Sequence, residues 1–308
     1  MALVELAESY QSCIDLARRT GKNFYYSFLT LPRPMAVDMC VLYSFMRWTD
    51  DLADAEDVPV ELRQVAIQQW KDKLLAAIDA RPVSSPDEMW DMDVDDSLTG
   101  VKTAEMDRRI LRATAHLVHK HSIPVQYLLD VIAGVESDLE PRAISTFAEL
   151  EQYCYHVAGA VGLGCIHIWG YQDSRATQLA IDCGTAFQLT NILRDLAEDA
   201  RHGRVYLPTE DLEQFGYSLD QLLRGERTPE FRQLMRFQVA RAQDYYDRSA
   251  ALSDYLSVPG RRILSAMREI YGGLLREIER RDYDVFTSRV QLSRLRKLKA
   301  ALVARFRH

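Results

Sequence analysis

The segment NILRDLAED, residues 191–199, places one amide and three carboxylates in an otherwise apolar neighbourhood. On a helix Asn191, Asp195 and Asp199 fall at i, i+4 and i+8, on one face. Like charges at that spacing weaken a helix by about 0.2–0.5 kcal/mol per pair, so an uncompensated acidic row needs a reason. A second row lies upstream in YSFMRWTDDLADAED, residues 43–57, where Asp50 and Asp54 are i, i+4 and Asp51 stands beside them. Tyr43 and Arg47 continue that row toward the N-terminus. Both rows interrupt helices whose other faces are rich in Leu, Ile, Phe and Val. The donors are oxygen alone, with no His or Cys nearby, which suits a hard cation. Mg²⁺ in particular binds through a few carboxylates, waters and substrate phosphates. Two such stripes facing each other would hold several Mg²⁺ ions and, through them, a diphosphate, with metal neutralising the rows.

The plainer alternative is a solvated helix face, which is ordinary for charged residues. No other phosphate or hydrolytic device competes: the chain has no GxxxxGK[ST] or GxGxxG loop, no HExxH and no GxSxG. His116, His119 and His121 in HLVHKH read as a solvated helix end beside Pro124 rather than a zinc site, which needs a fourth ligand and a defined frame. The aromatics of NFYYSF, residues 23–28, read as core more than as pocket lining, and Tyr25 and Tyr26 cannot both face the same way.

Positioning these rows takes helices. Apolar positions recur at three and four, with breakers between, over 3–20, 34–55, 60–80, 103–121, 124–137, 146–169, 174–200, 229–256, 259–282 and 288–306. Pro34, Pro59, Pro124 and Pro259 sit near the proposed starts, where a missing N–H costs little. No stretch alternates with period two for long enough to make a sheet. The 308 residues, 47% hydrophobic and 27% charged, can bury a sizeable core, and 14 Gly and 10 Pro are few for an all-β fold. The expectation is a single all-α domain over 1–308, a helical bundle, with the acidic stretch RPVSSPDEMWDMDVDDSLTG (81–100) as an exposed loop. A net charge of −7 argues against nucleic acid as a partner. Five cysteines in apolar stretches, without metal spacing, fit buried thiols in a reducing cytoplasm. The start MALVELAESYQSC lacks the basic region of a signal peptide. The longest nearly apolar run, 157–171, is shorter than the roughly 20 residues of a membrane span, so a soluble cytoplasmic protein is expected.

Taken together, KNFYYSFLTLP, LYSFMRWTDDLAD, GVESDL, YCYHVAGAVGLG, FQLTNILRDLAEDARHGRVYLP and YDVFTSRV resemble the squalene and phytoene synthases, from about residue 20 to 298. The resemblance implies the all-α isoprenoid-synthase fold with a central apolar cavity. It also implies Mg²⁺-dependent head-to-head condensation of two prenyl diphosphates through a cyclopropylcarbinyl diphosphate. By that likeness Asp50 and Asp54 belong to a first aspartate-rich metal motif, and Asn191, Asp195 and Asp199 to a second. Arg47, Arg194 and Arg204 match basic residues near diphosphate oxygens, where Arg can bond two at once. Tyr43, Gln188, Tyr206 and Tyr271 match positions near the substrates. Gly134, Val135 and Asp138 match a mid-chain GxxxD element, and Val157, Gly159, Val161 and Gly162 match small residues of a cavity wall. Near the start, Thr20-Gly21-Lys22-Asn23-Phe24 stands where the family often has a His-Ser-Lys-Ser-Phe-like segment, keeping Lys22 and Phe24 as substrate-binding candidates.

The expected substrates are two farnesyl diphosphates giving presqualene diphosphate or squalene, on the character of GCIHIWGY; two geranylgeranyl diphosphates giving phytoene are the alternative. Completing squalene needs a hydride, from NADPH in relatives, whereas phytoene needs only proton loss. Head-to-tail elongases and terpene cyclases usually carry DDxxD on both helices, against NxxxDxxxD here. A non-catalytic lipid-binding role fits poorly with the retained carboxylates. From Val285 to His308 there is no acid, while Arg289, Arg294, Arg296, Lys297, Lys299, Arg305 and Arg307 are basic. With Val290, Leu295, Leu298, Leu302 and Phe306 recurring at three to five, 288–306 can form a basic amphipathic helix. Its apolar stripe is expected to pack on the bundle. The alternative is peripheral contact with an anionic membrane, at its inner face.

Overall fold

The computed structural model describes residues 2–21, 24–55, 57–80, 104–140 and 143–306, so Lys22 and the 81–100 stretch lie outside the described residues. Among the described residues there is no strand, and β pairing is limited to an isolated antiparallel bridge between Tyr171 and Leu256. The chain divides into two compact units, Met1–Glu140 and Pro141–His308.

The first unit holds α1 (Ala2–Thr20), α2 (Phe24–Phe28), α3 (Arg33–Ala53), α4 (Val60–Asp79), α5 (Ala104–His121) and α6 (Val125–Ser137). Prolines mark the starts as expected: Pro34 sits in the first turn of α3, and Pro59 and Pro124 are the N-caps of α4 and α6. α3 is the hub, packed on α1, α4, α5 and α6. Every residue from Asp38 to Phe45 is buried. Phe45 stacks on Trp70 of α4 with ring centroids 5.8 Å apart, and the Trp70 indole N–H donates to Thr49 Oγ1 at 2.9 Å. Trp48 donates to Asp107 of α5 at 2.7 Å, and Lys73 of α4 pairs with the same carboxylate at 3.1 Å. These contacts fix the rotation of α3 and so aim the row of Tyr43, Arg47 and Asp50. The three histidines of α5 lie at a solvated helix end, as expected, with His116 and His119 exposed and His121 half-buried, and each has a partner of its own. His116 meets the Tyr10 hydroxyl, His119 the Ile78 carbonyl and His121 the Asp38 carboxylate, at 2.8, 2.9 and 2.9 Å. Three rings with three separate partners share no ligand site.

The second unit holds α7 (Phe147–Cys154), a π-helical turn (Tyr155–Gly159), α8 (Ala160–Trp169), α9 (Arg175–Arg201), α10 (Thr209–Gln214), α11 (Leu219–Leu223), α12 (Pro229–Arg248), α13 (Leu252–Tyr255), α14 (Val258–Arg280) and α15 (Arg294–Phe306). α9 is its axis, with α8, α12, α14 and the π turn against it. Glycine permits that approach: a Cβ on Gly184 would stand 2.5 Å from the Ala158 carbonyl oxygen, and one on Gly162 2.8 Å from that of Ala180. Gly162 therefore has a packing reason to be small, independent of any ligand.

Several expected spans differ. The π turn interrupts 146–169. The 229–256 span breaks at a 3-10 turn, Ser249–Ala251, where Ser249 Oγ donates to the Tyr245 carbonyl and Arg268 Nη2 to the Tyr246 carbonyl, at 2.8 Å each. The last helix begins at Arg294 rather than 288, because Ser293 Oγ accepts the Arg296 N–H at 3.3 Å while Val290 and Leu292 are buried ahead of it. Its leucine stripe does not pack on the unit, contrary to expectation. Ala300, Ala301 and Ala304 are buried instead, on a helix that lies against α14, since small side chains let two backbones come closer. All five cysteines are buried free thiols, and among the described residues no helix is long and apolar enough to cross a membrane.

Candidate active site

Each unit carries one acidic row, and the two are built differently. In the first unit Tyr43, Arg47, Asp50 and Asp54 follow at three and four along α3. The helix ends at Asp54, whose N–H closes the last turn on the Asp50 carbonyl at 3.1 Å, leaving an exposed residue at a helix end. Arg47 reaches Asp50 at 3.3 Å and also pairs with Asp51. Asp50 keeps 49% of its side-chain surface accessible, yet burial and then the charge of Asp54 push its carboxyl up to about 6. Water reaches this carboxylate, but protein atoms surround it. Arg47 opposes the shift, and Asp51 and Asp138 add to it. Asp138 is the C-cap of α6, so the GVESDL segment brings a further carboxylate to Asp50, while Gly134 and Val135 are buried. Tyr43 is buried, its hydroxyl donating to Thr20 Oγ1 at 3.1 Å, and Phe24 lies 6.1 Å from it, ring to ring.

In the second unit α9 presents Gln188, Asn191, Asp195 and Asp199 along one face. Asn191 Nδ2 donates to Gln188 Oε1 at 3.4 Å, while its Oδ1 is buried with no hydrogen-bond partner among the described residues. Asp195 accepts from two arginines. Arg194 Nε reaches Oδ1 at 2.8 Å, and Arg289, from the segment between α14 and α15, spans both oxygens at 2.9 and 3.0 Å. Arg289 also meets Glu198 at 3.2 Å. Burial works to raise the Asp195 carboxyl, but the hydrogen bonds from Arg194 and then Arg289 outweigh it and hold it below its usual range. The α9 row thus stays acidic for a reason its spacing does not show: Asp195 is neutralised by arginine. Arg289, 94 positions from Asp195, is the residue that spacing missed. Its signal was the YDVFTSRV segment, which carries it.

The remaining candidates are spread over the second unit. The Arg204 N–H donates to the Asp199 carbonyl at 2.9 Å in a turn through Gly203, whose φ of 72° suits glycine. Tyr206 stacks on Tyr153 of α7 at 4.8 Å, and Tyr271 of α14 on Phe187 of α9 at 4.6 Å. Val157 and Val161, one turn apart, are half-buried.

Among the described residues no three His, Cys, Asp or Glu side chains gather into a metal site. An open Mg²⁺ site needs no such cage, because the ion keeps waters and substrate phosphates as ligands. The residues fit that ion by their chemistry. Asn191 Oδ1 is a buried acceptor without a donor, and Asp50 is pushed up in part by like charge that a cation offsets.

A family profile described as squalene/phytoene synthase matches residues 17–296. The chain is 33% identical to a 15-cis-phytoene synthase of Synechococcus elongatus over 318 residues, covering 99% of this chain and 95% of that one. It is 31% identical to phytoene synthase 1, chloroplastic, of Arabidopsis thaliana, covering 97% of this chain and 66% of the relative. Among solved structures, a dehydrosqualene synthase in complex with ligand matches at TM-score 0.81 and 25% identity, covering 99% of this chain and 98% of the other. The squalene synthase HpnC from Alicyclobacillus acidocaldarius matches at 0.76 and 26%, covering 91% and 96%.

Proposed function

The chain belongs to the squalene/phytoene synthase family and is a prenyltransferase, and we propose that it joins two geranylgeranyl diphosphates head to head into phytoene. One observation in the site supports metal-assisted diphosphate chemistry there: the donorless Oδ1 of Asn191, buried on the face of α9 that also bears Asp195 and Asp199. An unsatisfied buried acceptor costs about 1–3 kcal/mol, a cost a site accepts where a ligand satisfies it.

Asp50, Asp54, Asn191, Asp195 and Asp199 would hold Mg²⁺, which when bound neutralises the departing diphosphate. Arg47, Arg194 and Arg204 orient diphosphate oxygens, each guanidinium offering paired N–H donors. Gln188 and Tyr206 position the substrate heads, Phe24, Tyr43 and Tyr271 contact substrate, and Lys22 is assigned to substrate binding from its motif alone. Val157, Val161 and Gly162 form apolar wall and keep water from the allylic cation once its C–O bond breaks. Aromatic faces stabilise that cation by about 0.5–2 kcal/mol each. The double bond of the second substrate then attacks C1, and loss of a proton closes the cyclopropylcarbinyl diphosphate. Departure of the second diphosphate and loss of another proton give phytoene with no reductant.

The named sequence relatives are phytoene synthases, which is why geranylgeranyl stands ahead of farnesyl here. A farnesyl reading keeps support from the likeness to a dehydrosqualene synthase, and a squalene ending would call for NADPH. Such substrates and products are lipids, so we place the enzyme in the cytoplasm as a peripheral protein working at the inner face of the membrane. Purified protein with Mg²⁺ and each labelled prenyl diphosphate, with and without NADPH, tests the reaction. Phytoene from geranylgeranyl diphosphate, independent of NADPH, is the expected result. A product from farnesyl diphosphate alone moves the substrate to that chain length, and no condensation product from either sinks the reading.

A further inference from the structure

α15 is amphipathic in the wrong sense for a helix that only packs. At about 3.6 residues per turn, Leu295, Leu298, Leu302 and Phe306 share one face, and Ala300, Ala301 and Ala304 share the opposite one. The alanine face is the buried one. Leu295, Leu298, Leu302 and Phe306 are 79%, 40%, 49% and 81% exposed. Arg294 and Arg305 flank this stripe on one side and Arg296 and Lys299 on the other, all exposed, with no acid anywhere from Val285 to His308. Beside α15 runs a groove of about 870 Å³, wholly within the second unit, in which six Arg and Lys side chains meet two glutamates, Glu269 and Glu277. Both acids are already paired, Glu269 with Arg276 and Glu277 with Arg280, Arg281 and Arg296.

We propose that α15 docks the protein on an anionic lipid bilayer, resting on the proposed reaction only for the amphiphilic nature of its substrates. Leu295, Leu298, Leu302 and Phe306 enter the boundary between acyl chains and headgroups, and the flanking cations meet lipid phosphates. At 13 residues the helix lies in the interface plane and does not cross it. Charge selects this occupant over a second copy joined through the same face, because two α15 helices would set cation against cation.

The test is co-sedimentation of the full chain with phosphatidylglycerol and with phosphatidylcholine vesicles, at low and high salt. Beside it run two variants of exposed residues, Leu295→Ser/Leu298→Ser/Leu302→Ser/Phe306→Ser and Arg294→Gln/Arg305→Gln, with folding followed by thermal melting. Wild type should bind phosphatidylglycerol vesicles at low salt and lose them as salt rises. The serine variant should bind roughly tenfold less or worse, and the glutamine variant should bind less and show a shallower salt dependence. Turnover of detergent-dispersed substrate should stay at the wild-type level. Absence of binding at low salt, or equal binding by the serine variant, overturns the proposal. So does a wild-type dimer that the serine variant dissolves, since a second copy would then cover the stripe. Vesicle binding is read without catalysis, so failure of the proposed reaction and failure of docking show in separate measurements.

Discussion

Asn191 separates ligand binding from folding. Its Oδ1 has no donor, so replacing it with leucine removes an unsatisfied acceptor from a buried place. Asn191→Leu should therefore leave the melting temperature unchanged or slightly raised, while turnover falls by roughly a hundredfold, the scale on which metal-site residues act. Near-normal turnover would take Asn191 out of the site. Asp195 behaves the other way. Spacing alone suggests that deleting a carboxylate relieves repulsion along α9, but Arg194 and Arg289 both donate to it, and its loss strands two cations. Helix periodicity relates residues three and four apart, so the row Asn191, Asp195, Asp199 was legible in the sequence. The counter-charge was not, because Arg289 arrives from a distant segment. Asp138 was readable only as a motif match, and its effect on Asp50 needed the end of α6 to be placed beside the end of α3.

Among the elements, α9 depends on how closely the 155–169 helix approaches it. The three atoms nearest a Cβ on Gly184 are Ala158 O, Ala158 C and Gly159 N, at 2.5, 2.7 and 2.9 Å. All are backbone, so none can swing aside as a side-chain tip would. Gly184→Ala must push the π turn away from α9, an overpacking strain of about 1–3 kcal/mol. At about 2–4 °C per kcal/mol for a large domain, the melting temperature should drop by several degrees, readable by circular dichroism. Turnover should drop with it, because α9 carries Asn191 and Asp195 at fixed rotation. An unchanged melting temperature would mean that the helices part without cost. The helices themselves were plain from their periodicity, and the proline starts of α3, α4, α6 and α14 held. Their interruptions were hidden because they arise from local diversions of backbone bonds, as at Ser249 and Tyr246. The orientation of α15 was hidden for another reason. A pattern shows that a helix has two faces, but the packed face here is the alanine one, which hydrophobicity alone ranks second.

For the whole molecule, the proposed reaction draws Asp50 from the first unit and Asp195 from the second. That dependence has a thermodynamic signature. A ligand that binds only the folded chain stabilises it by about 2.7 kcal/mol at a hundredfold excess over its dissociation constant. With Mg²⁺ and inorganic diphosphate together, the wild-type chain should melt about 5–10 °C higher than without them, provided that unfolding is a single transition. If both aspartates serve one bound metal–diphosphate complex, Asp50→Ala and Asp195→Ala should each abolish most of that rise. The double variant should then lose scarcely more than either single one, because groups acting on one ligand are not additive. Without ligand the variants should also differ from each other. Asp195→Ala should melt below wild type, having lost its hydrogen bonds from two arginines, whereas Asp50→Ala removes a carboxyl already raised to about 6 by burial and like charge and should cost less. If Asp50→Ala kept the full ligand-induced rise while Asp195→Ala lost it, diphosphate would belong to the second unit alone. Equal and additive losses would mean separate sites. Either outcome overturns the proposal that Asp50 and Asp195 serve one metal–diphosphate complex.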